Sequence, residues 1–236
     1  MGAAAVIVVA IDTSTPQTSV AIGTEREIVA RMQVAGKARQ ESVTPALEHL
    51  LRVSGLRLEQ VAGFAVGIGP GLFTGLRVGV ATAKTLAQVT KAPIVGLASL
   101  DVLAYRVRHT HRSIVAVIDG RRGEVFSAFY EPVPGGVLRR TPFVVQRPEH
   151  LVAELDARPG DVLAVGDGAI LYADVLAGVG ARLELASAVD AHPDAAAMVE
   201  LAAPRFMREE HDSLVDLVPV YLRKSDAEIA LDHGGS

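Results

Sequence analysis

The residues best suited to chemistry are Asp12, Thr13 and Ser14, which directly follow an apolar run over residues 5–11. A carboxylate, hydroxyls and backbone N–H groups at the end of a buried strand can cradle phosphate oxygens and hold a metal-bound water. The same residue types favour turns, so an ordinary hairpin turn is the alternative. The sequence contains no Walker A lysine motif, which excludes a P-loop enzyme.

A second distinctive stretch, residues 66–84, joins an apolar strand pattern to a helix pattern through Gly69-Pro70-Gly71. Proline restricts φ, whereas glycine has a wider range of allowed φ values, so this tripeptide predicts a sharp turn between strand and helix, here called the elbow. The helix predicted over 74–89 carries small residues four apart, which share one face: Gly75, Gly79, Ala83 and Ala87. Because an interior glycine costs about 1 kcal/mol relative to alanine, we expect a second backbone to pack very close to this face.

Other catalytic and metal-binding patterns are absent from the sequence. There is no cysteine, no Gly-x-Ser-x-Gly elbow and no His-x-x-x-His spacing among the seven histidines, so we expect neither a catalytic residue nor a metal site. The turn at 119–124 combines Asp119 with Arg121 and Arg122. An ion-paired hairpin and a ligand or partner loop are equally good interpretations of that turn.

The elements that must position these residues follow a repeated order. Strands are predicted at 5–11, 18–23 and 27–33, then a helix at 41–54, a strand ending at 68, the elbow helix, a strand at 93–96 and a helix at 100–107 capped by Ser99. After a basic stretch at 106–112, a similar series restarts, with strands at 113–119, 124–130 and 162–166 and helices at 148–155, 169–176 and 193–208. This predicts a duplicated β-β-β-α-β-α unit.

We expect a first lobe over 1–106, a smaller lobe over 107–200, a helix and strand over 201–223 that return to the first lobe, and a flexible tail over 224–236. The 236 residues are 50% apolar and 4% aromatic, with a net charge of −4, so the chain is not expected to provide the main grip on RNA. The first apolar run lacks a basic leader and is too short to span a bilayer, which favours a cytoplasmic protein.

The motif at 69–79, with Ala83-Lys84 after it, resembles the signature of the TsaB (YeaZ) family. Residues 11–14, the first helix at 41–51, the turn at 119–126 and Pro219-Val220-Tyr221-Leu222-Arg223 also match that family, in order and over almost the whole chain. The resemblance implies an α/β fold of the actin-like ATPase (ASKHA, ribonuclease H-like) class, with two similar lobes of mixed sheets flanked by helices.

The resemblance also implies a function. Members are non-catalytic partners that bind and activate TsaD, the subunit that transfers threonylcarbamoyl to the adenosine next to the anticodon of tRNA. TsaE joins the larger complex, and tRNA is contacted only through the complex. We also expect the free chain to form homodimers through the same helices, because an uncovered apolar face favours association. The alternative is an independent enzyme, either an actin-like ATPase or phosphotransferase, or a peptidase.

Site residues follow from the same resemblance. ATP or ADP with Mg²⁺ is expected at the partner interface, without tight binding, near Asp12, Thr13, Ser14, Gly69 and Gly71. The catalytic relative's His-x-x-x-His is absent here, where 39–44 read Arg-Gln-Glu-Ser-Val-Thr. We expect Gly79→Arg to leave the chain folded and to abolish partner binding. The expected partner-interface residues lie on the two helices of the first lobe: Glu41, Val43, Leu47, Leu50, Leu72, Phe73, Gly75, Leu76, Gly79, Val80, Ala83 and Ala87.

Overall fold

The computed structural model describes residues 5–36 and 42–222. Within these ranges the chain forms a five-stranded sheet and a six-stranded sheet, with helices packed on both. The expected contact residue Glu41 and the expected flexible tail lie outside the described residues. The first half comprises β1 Val8–Asp12, β2 Gln17–Gly23, β3 Ile28–Ala35, α1 Val43–Ser54, β4 Gly63–Gly69, α2 Phe73–Thr90, β5 Ile94–Ala98 and α3 Ser99–Arg106, with a 3-10 turn at Leu58–Gln60.

The second half contains more, and shorter, elements. They are β6 Ser113–Arg121, β7 Glu124–Val133, β8 Gly136–Arg139, β9 Val144–Gln146, α4 Pro148–Asp156, β10 Val162–Val165, α5 Asp167–Leu171, α6 Ala173–Leu176, β11 Leu183–Leu185 and α7 Ala195–Met207. Two 3-10 turns, Ala177–Arg182 and Ala188–Asp190, flank β11.

The two sheets repeat one topology. The first has the order β3-β2-β1-β4-β5, and the second has the order β11-β10-β6-β7-β8, with β9 also paired to β7. In each, the first strand is central, an antiparallel hairpin lies on one side, and a parallel strand lies on the other. This confirms the predicted duplication and the two-lobed actin-like expectation.

The central strand β1 is buried on both faces, as its continuous apolar run predicts. Val9 and Ile11 face the core beneath α1 and α2, whereas Val8 and Ala10 face α7. Successive side chains of a strand point to opposite faces, so one short strand supports both helix layers. As a result, the position of Asp12 at the end of β1 is rigidly held.

Helix α3 connects the lobes. Its Leu100 and Leu103 pack in the core of the second sheet, while Val102 packs with α7 in the first. The C-terminal segment also bridges them, since Leu217 lies in the first core and Leu222 packs on the second. The two lobes are therefore joined twice, by α3 in the middle of the chain and by the apolar contacts of Leu217 and Leu222.

Several sequence predictions need correction. Ser99 does not cap α3: the cap position is Ala98, and the Ser99 hydroxyl is buried without a partner among the described residues. The single helix predicted at 169–176 is broken at Tyr172 into α5 and α6, and the short strands β8, β9 and β11 were not predicted. All of α7, from Ala195 onward, packs on the first sheet, so the return to that lobe begins before residue 201.

Within the described residues, no helix combines the length and apolar character that crossing a bilayer requires.

Candidate functional site: the loop after β1 and its counterpart in the second lobe

The elbow between β4 and α2 lies directly on the loop that follows β1. The Gly69–Pro70 peptide is cis and Gly69 has φ of 96°, so the chain turns back sharply before α2 starts at Phe73. The Leu72 N–H donates to the Ser14 carbonyl at 2.7 Å. A Cβ added to Gly71 would lie 2.3 Å from that same oxygen, so only glycine permits this approach. The elbow therefore covers the loop at backbone-to-backbone distance.

Asp12 is fully buried in that loop, with 0% exposure. Its Oδ1 accepts hydrogen bonds from the Ser14 N–H at 3.0 Å and the Ser14 hydroxyl at 2.8 Å. Its Oδ2 has no partner among the described residues and faces Gly67, where an added Cβ would lie only 1.9 Å away. Burial raises the pKa of Asp12 to about 6, and the hydrogen bonds from Ser14 oppose that rise. The carboxyl is thus held by its own turn and closed off from solvent.

Thr13 explains the small-residue stripe of α2. Its hydroxyl donates to the Gly75 carbonyl at 2.7 Å, and a Cβ added to Gly79 would lie 2.2 Å from the same hydroxyl oxygen. The close neighbour at Gly79 is therefore the Thr13 side chain in the β1–β2 loop of this chain, and not the second backbone that the spacing predicted. Gly79→Arg is accordingly expected to disturb the fold around Thr13, contrary to the expectation of an intact fold.

The structure brings the expected nucleotide-binding residues into one place but buries the acceptor loop. Asp12, Thr13, Ser14 and Thr15 are all buried, and the hydroxyls of Thr13 and Ser14 donate to protein oxygens. Gly71 covers Ser14, whereas Gly69 lies against Leu76 and the Val220 carbonyl. In this conformation the loop offers no open face to a phosphate.

The expected partner-contact residues also face inward. The apolar stripe of each amphipathic helix covers the sheet of its own lobe, so these side chains are not available on the surface of the free chain. Leu72 and Phe73 are half-buried at the elbow. The remaining described members are all buried: Val43, Leu47, Leu50, Gly75, Leu76, Gly79, Val80, Ala83 and Ala87.

The outer surface of the two helices consists of other residues. On α1 they are Thr44, Pro45, Glu48, His49, Arg52 and Val53, and on α2 they are Thr74, Arg77, Ala81, Thr85, Gln88 and Val89. Val53 is 61% exposed and Val89 is 71% exposed. Helical periodicity could have separated these outward positions from the inward ones, because the two sets lie on opposite faces of the same helices.

An aromatic cluster lies beside the elbow. The Phe73 and Tyr221 rings are 5.1 Å apart, and the Arg77 guanidinium lies 3.9 Å from the centre of the Phe73 ring. The C-terminal segment reaches this point because the Val220 N–H donates to the Ile68 carbonyl at 2.7 Å. The sequence motif at 219–223 identified this segment, but local pattern could not indicate that it packs on the elbow.

The counterpart of Asp12 in the second lobe is Asp119, near the end of β6. Its Oδ1 accepts from the Arg121 N–H at 2.9 Å, and its Oδ2 lies 3.0 Å from the Arg121 guanidinium. Arg121 and Arg122 both have left-handed backbone conformations, with φ of 64° and 56°. Of the two interpretations left open for this turn, the ion-paired hairpin is observed.

Asp167, at the start of α5, joins Asp119 in a cluster that sequence reasoning missed. The Asp119 N–H donates to Asp167 Oδ1 at 3.1 Å. Burial is the main cause that raises the pKa of Asp167 to about 6, and the nearby Asp119 carboxylate adds to it. The His192 Nδ1 lies 3.9 Å from Asp167 Oδ2, and burial, with the charge of Arg106, lowers the pKa of His192.

The signal for Asp167 was its position after a buried strand, flanked by Gly166 and Gly168, in the place that Gly69-Pro70-Gly71 takes in the first lobe. Among the described residues, no group of three histidines, aspartates or glutamates is arranged to hold a metal ion. The second lobe therefore presents a compact carboxyl–histidine cluster that serves no recognised metal geometry.

Comparison with known proteins gives consistent matches. The family model described as "TsaD: tRNA N6-adenosine threonylcarbamoyltransferase" matches residues 32–231. The tRNA threonylcarbamoyladenosine biosynthesis protein TsaB of Haemophilus influenzae is 30% identical, over 91% of this chain and 92% of that protein. TsaB of Escherichia coli is 28% identical, over 93% and 96%. The structure of YeaZ from Pseudomonas aeruginosa superposes with a TM-score of 0.76 at 28% identity, covering 92% of this chain and 99% of that one.

Proposed function

The chain belongs to the TsaB (YeaZ) family of tRNA threonylcarbamoyladenosine biosynthesis proteins, and from this premise we propose that it is a non-catalytic partner that binds and activates TsaD. TsaD would then transfer threonylcarbamoyl to the adenosine next to the anticodon of tRNA. In this proposal the chain contributes a binding surface and contributes no reacting group.

The closed loop after β1 is the observation that carries the proposal. In an actin-like fold this loop is where a phosphate would be received. Here Asp12, Thr13 and Ser14 are buried, the Thr13 and Ser14 hydroxyls donate to oxygens of the chain itself, and Asp12 Oδ2 has no partner among the described residues. A free phosphotransferase would need those donors to face the cleft. The geometry therefore supports a role through a partner over an independent phosphotransferase.

The outer faces of α1 and α2 are the proposed contact for TsaD. Both helices pack on the same side of the first sheet, and each exposes a valine, Val53 and Val89. A partner that covers both helices would bury these two side chains, and burial of exposed apolar area favours association. A nucleotide, TsaE and tRNA would enter only with the assembled complex, and the same faces would form the homodimer in the absence of TsaD.

Reconstitution tests the proposal. Purified TsaD, the other bacterial modification proteins, tRNA, ATP, threonine and bicarbonate are incubated with and without this chain, and threonylcarbamoyladenosine is measured by nucleoside analysis. We expect product only when the chain is present. Equal product without the chain would overturn the proposal.

A matched pair of variants localises the contact. Val53→Asp with Val89→Asp places charge on the outer faces of α1 and α2, and we expect it to abolish TsaD binding and product formation. Val189→Asp is the control, because Val189 is 77% exposed but lies in the second lobe. Circular dichroism should show both proteins folded. Loss of activity in the Val189 control, or full activity in the double variant, would refute this location.

A further inference from the structure

Helix α2 carries a row of positive charge that the chain does not neutralise. Arg77, Lys84 and Lys91 are seven residues apart, and seven residues are close to two helical turns, so the three lie along one edge of the helix about 10 Å from one another. The helix contains no aspartate or glutamate. None of the three cations forms an ion pair with a carboxylate of the described residues.

Two of the three have a side-chain contact that orients them without cancelling their charge. Arg77 stacks on the Phe73 ring at 3.9 Å, and Lys84 Nζ donates to the Leu217 carbonyl at 3.2 Å. Lys91 ends the helix in a left-handed conformation with φ of 59°. Glu209 and Asp212 line the same hollow as Lys91, but neither pairs with it, and Asp212 instead binds the Gly96 N–H and Arg205.

Arginines elsewhere in the described chain are mostly paired. Arg106 pairs with Asp190, and Arg112 pairs with both Asp161 and Glu184. In a chain with a net charge of −4, an unpaired cationic edge on the helix that also exposes Val89 is a local exception. On α1, which packs beside α2 on the same sheet, Arg52 likewise contacts His49 and no carboxylate in the part of the chain that the structure describes.

We propose that this edge, defined by Arg77, Lys84 and Lys91, selects a protein partner whose facing surface is acidic around an apolar centre. This inference rests on the proposed function and specifies the chemistry of the TsaD surface that would meet α2. Complementary charge mainly accelerates encounter and excludes wrong partners. RNA is disfavoured as the occupant because α2 also exposes an apolar side chain and the chain as a whole is acidic. An isologous contact would bring the same cationic edge to the interface twice, so we expect the homodimer of the free chain to be weaker than the complex with TsaD.

The test compares two double variants, each of which removes two positive charges. Arg77→Gln with Lys91→Gln alters the edge. Arg147→Gln with Arg158→Gln is the control, because Arg147 is exposed without an ion pair to any described residue and Arg158 stacks on Phe129 at 3.9 Å, as Arg77 does on Phe73. Adding Lys84→Gln, which keeps a donor for Leu217, extends the series. Rates of association with purified TsaD are measured over a series of NaCl concentrations, and circular dichroism verifies the fold.

We expect the edge variant to associate about tenfold more slowly than wild type at low salt and to show a flatter salt dependence, with the control unchanged. Salt-independent binding that is equal in wild type and edge variant would overturn the charge inference and leave the TsaD proposal intact. No binding by the wild type, together with product formation that does not need the chain, would overturn both. Two other results would overturn the proposal that the edge binds an acidic protein. One is binding to tRNA alone that the edge variant loses, and the other is a homodimer in sedimentation that the edge variant loses while TsaD does not associate.

Discussion

Asp12 and Asp119 lie at the ends of central strands in two sheets of the same topology, and their surroundings differ. Asp12 is sealed beneath the elbow and bonds only to Ser14, with one oxygen left without a partner among the described residues. Asp119 is paired with the half-exposed Arg121 and contacts Asp167 through its own N–H. One topology therefore yields a closed loop in one lobe and an ion-paired hairpin in the other.

The difference comes from the turn after the strand that pairs in parallel with the central strand, which is β4 in the first lobe and β10 in the second. In the first lobe, Gly69-Pro70-Gly71 leads into an 18-residue helix, and Gly71 contacts the Ser14 carbonyl. In the second lobe, Gly166 and Gly168 press on the backbone of β6, and the helix that follows has only five residues. The first arrangement buries an acid under a backbone cover, whereas the second brings two acids together.

The largest expected loss of stability follows from a substitution at Gly71, whose backbone covers the Ser14 carbonyl. Gly71→Ala should lower the free energy of unfolding by about 3 kcal/mol, because its Cβ would meet the Ser14 backbone, which cannot move aside easily. Gly168→Ala should cost about 1 kcal/mol, since its nearest backbone contact is 2.8 Å and alanine is the better helix former. Gly136→Ala, with nothing within 4 Å, is the control and should change little. Urea denaturation measures all three, and equal losses at Gly71 and Gly168 would contradict the comparison.

The next effect concerns pH. The pKa of Asp12 rises from 3.8 to about 6 on folding, so between these values the folded state binds more protons than the unfolded state. The free energy of unfolding should therefore fall as pH rises from about 4 to about 6, by about 3 kcal/mol for this group, and stay level above. Asp12→Asn should remove that part of the pH dependence.

Asp167 should contribute over the same window, while His192, whose pKa is lowered, contributes with the opposite sign below its ordinary value. The comparison is therefore made between wild type and each Asn variant, with urea denaturation at several pH values. An Asp12→Asn protein with the wild-type pH profile would show that the loop is open to water.

The smallest expected effects are at single polar contacts. Thr13→Val removes the hydrogen bond to the Gly75 carbonyl and should cost about 1 kcal/mol, because that acceptor lies in a buried contact. Arg121→Ala should cost about 0.5 kcal/mol or less, since its side chain is largely in solvent and its ion pair is screened. Thermal denaturation measures both. A larger loss of stability for Arg121→Ala than for Thr13→Val would contradict the comparison of the closed loop with the ion-paired hairpin.

Much of the fold was predictable because its signals are local. The continuous apolar runs of β1 and β6, the glycines around Pro70 and the four-residue spacing on α2 indicated the central strands, the elbow and a close packing face. The short strands β8, β9 and β11 escaped prediction because three or four residues carry too little periodicity, and their pairing depends on distant partners.

The candidate site was also predictable only in part. The residue types of Asp12, Thr13 and Ser14 at a strand end were sufficient to identify the loop. Whether its hydroxyls face a ligand or the chain could not be predicted, because Thr13 contacts Gly75 and the Ser14 carbonyl contacts Leu72, both about sixty residues away in sequence. The pairing of Asp119 with Asp167 is likewise set by neighbouring strands.

By itself, the sequence determined the family, the duplicated order of elements and the need for something close against Gly75 and Gly79, because these depend on residue type and spacing along one segment. Only the tertiary structure decided that the close neighbour is Thr13 of the same chain, that the apolar stripes of α1 and α2 cover their own sheet, and that the surface left for another protein is their outer faces. The physical reason is that segments far apart in sequence bury one another. An apolar stripe therefore predicts that one face of a helix is packed, but it does not identify the segment that packs on it.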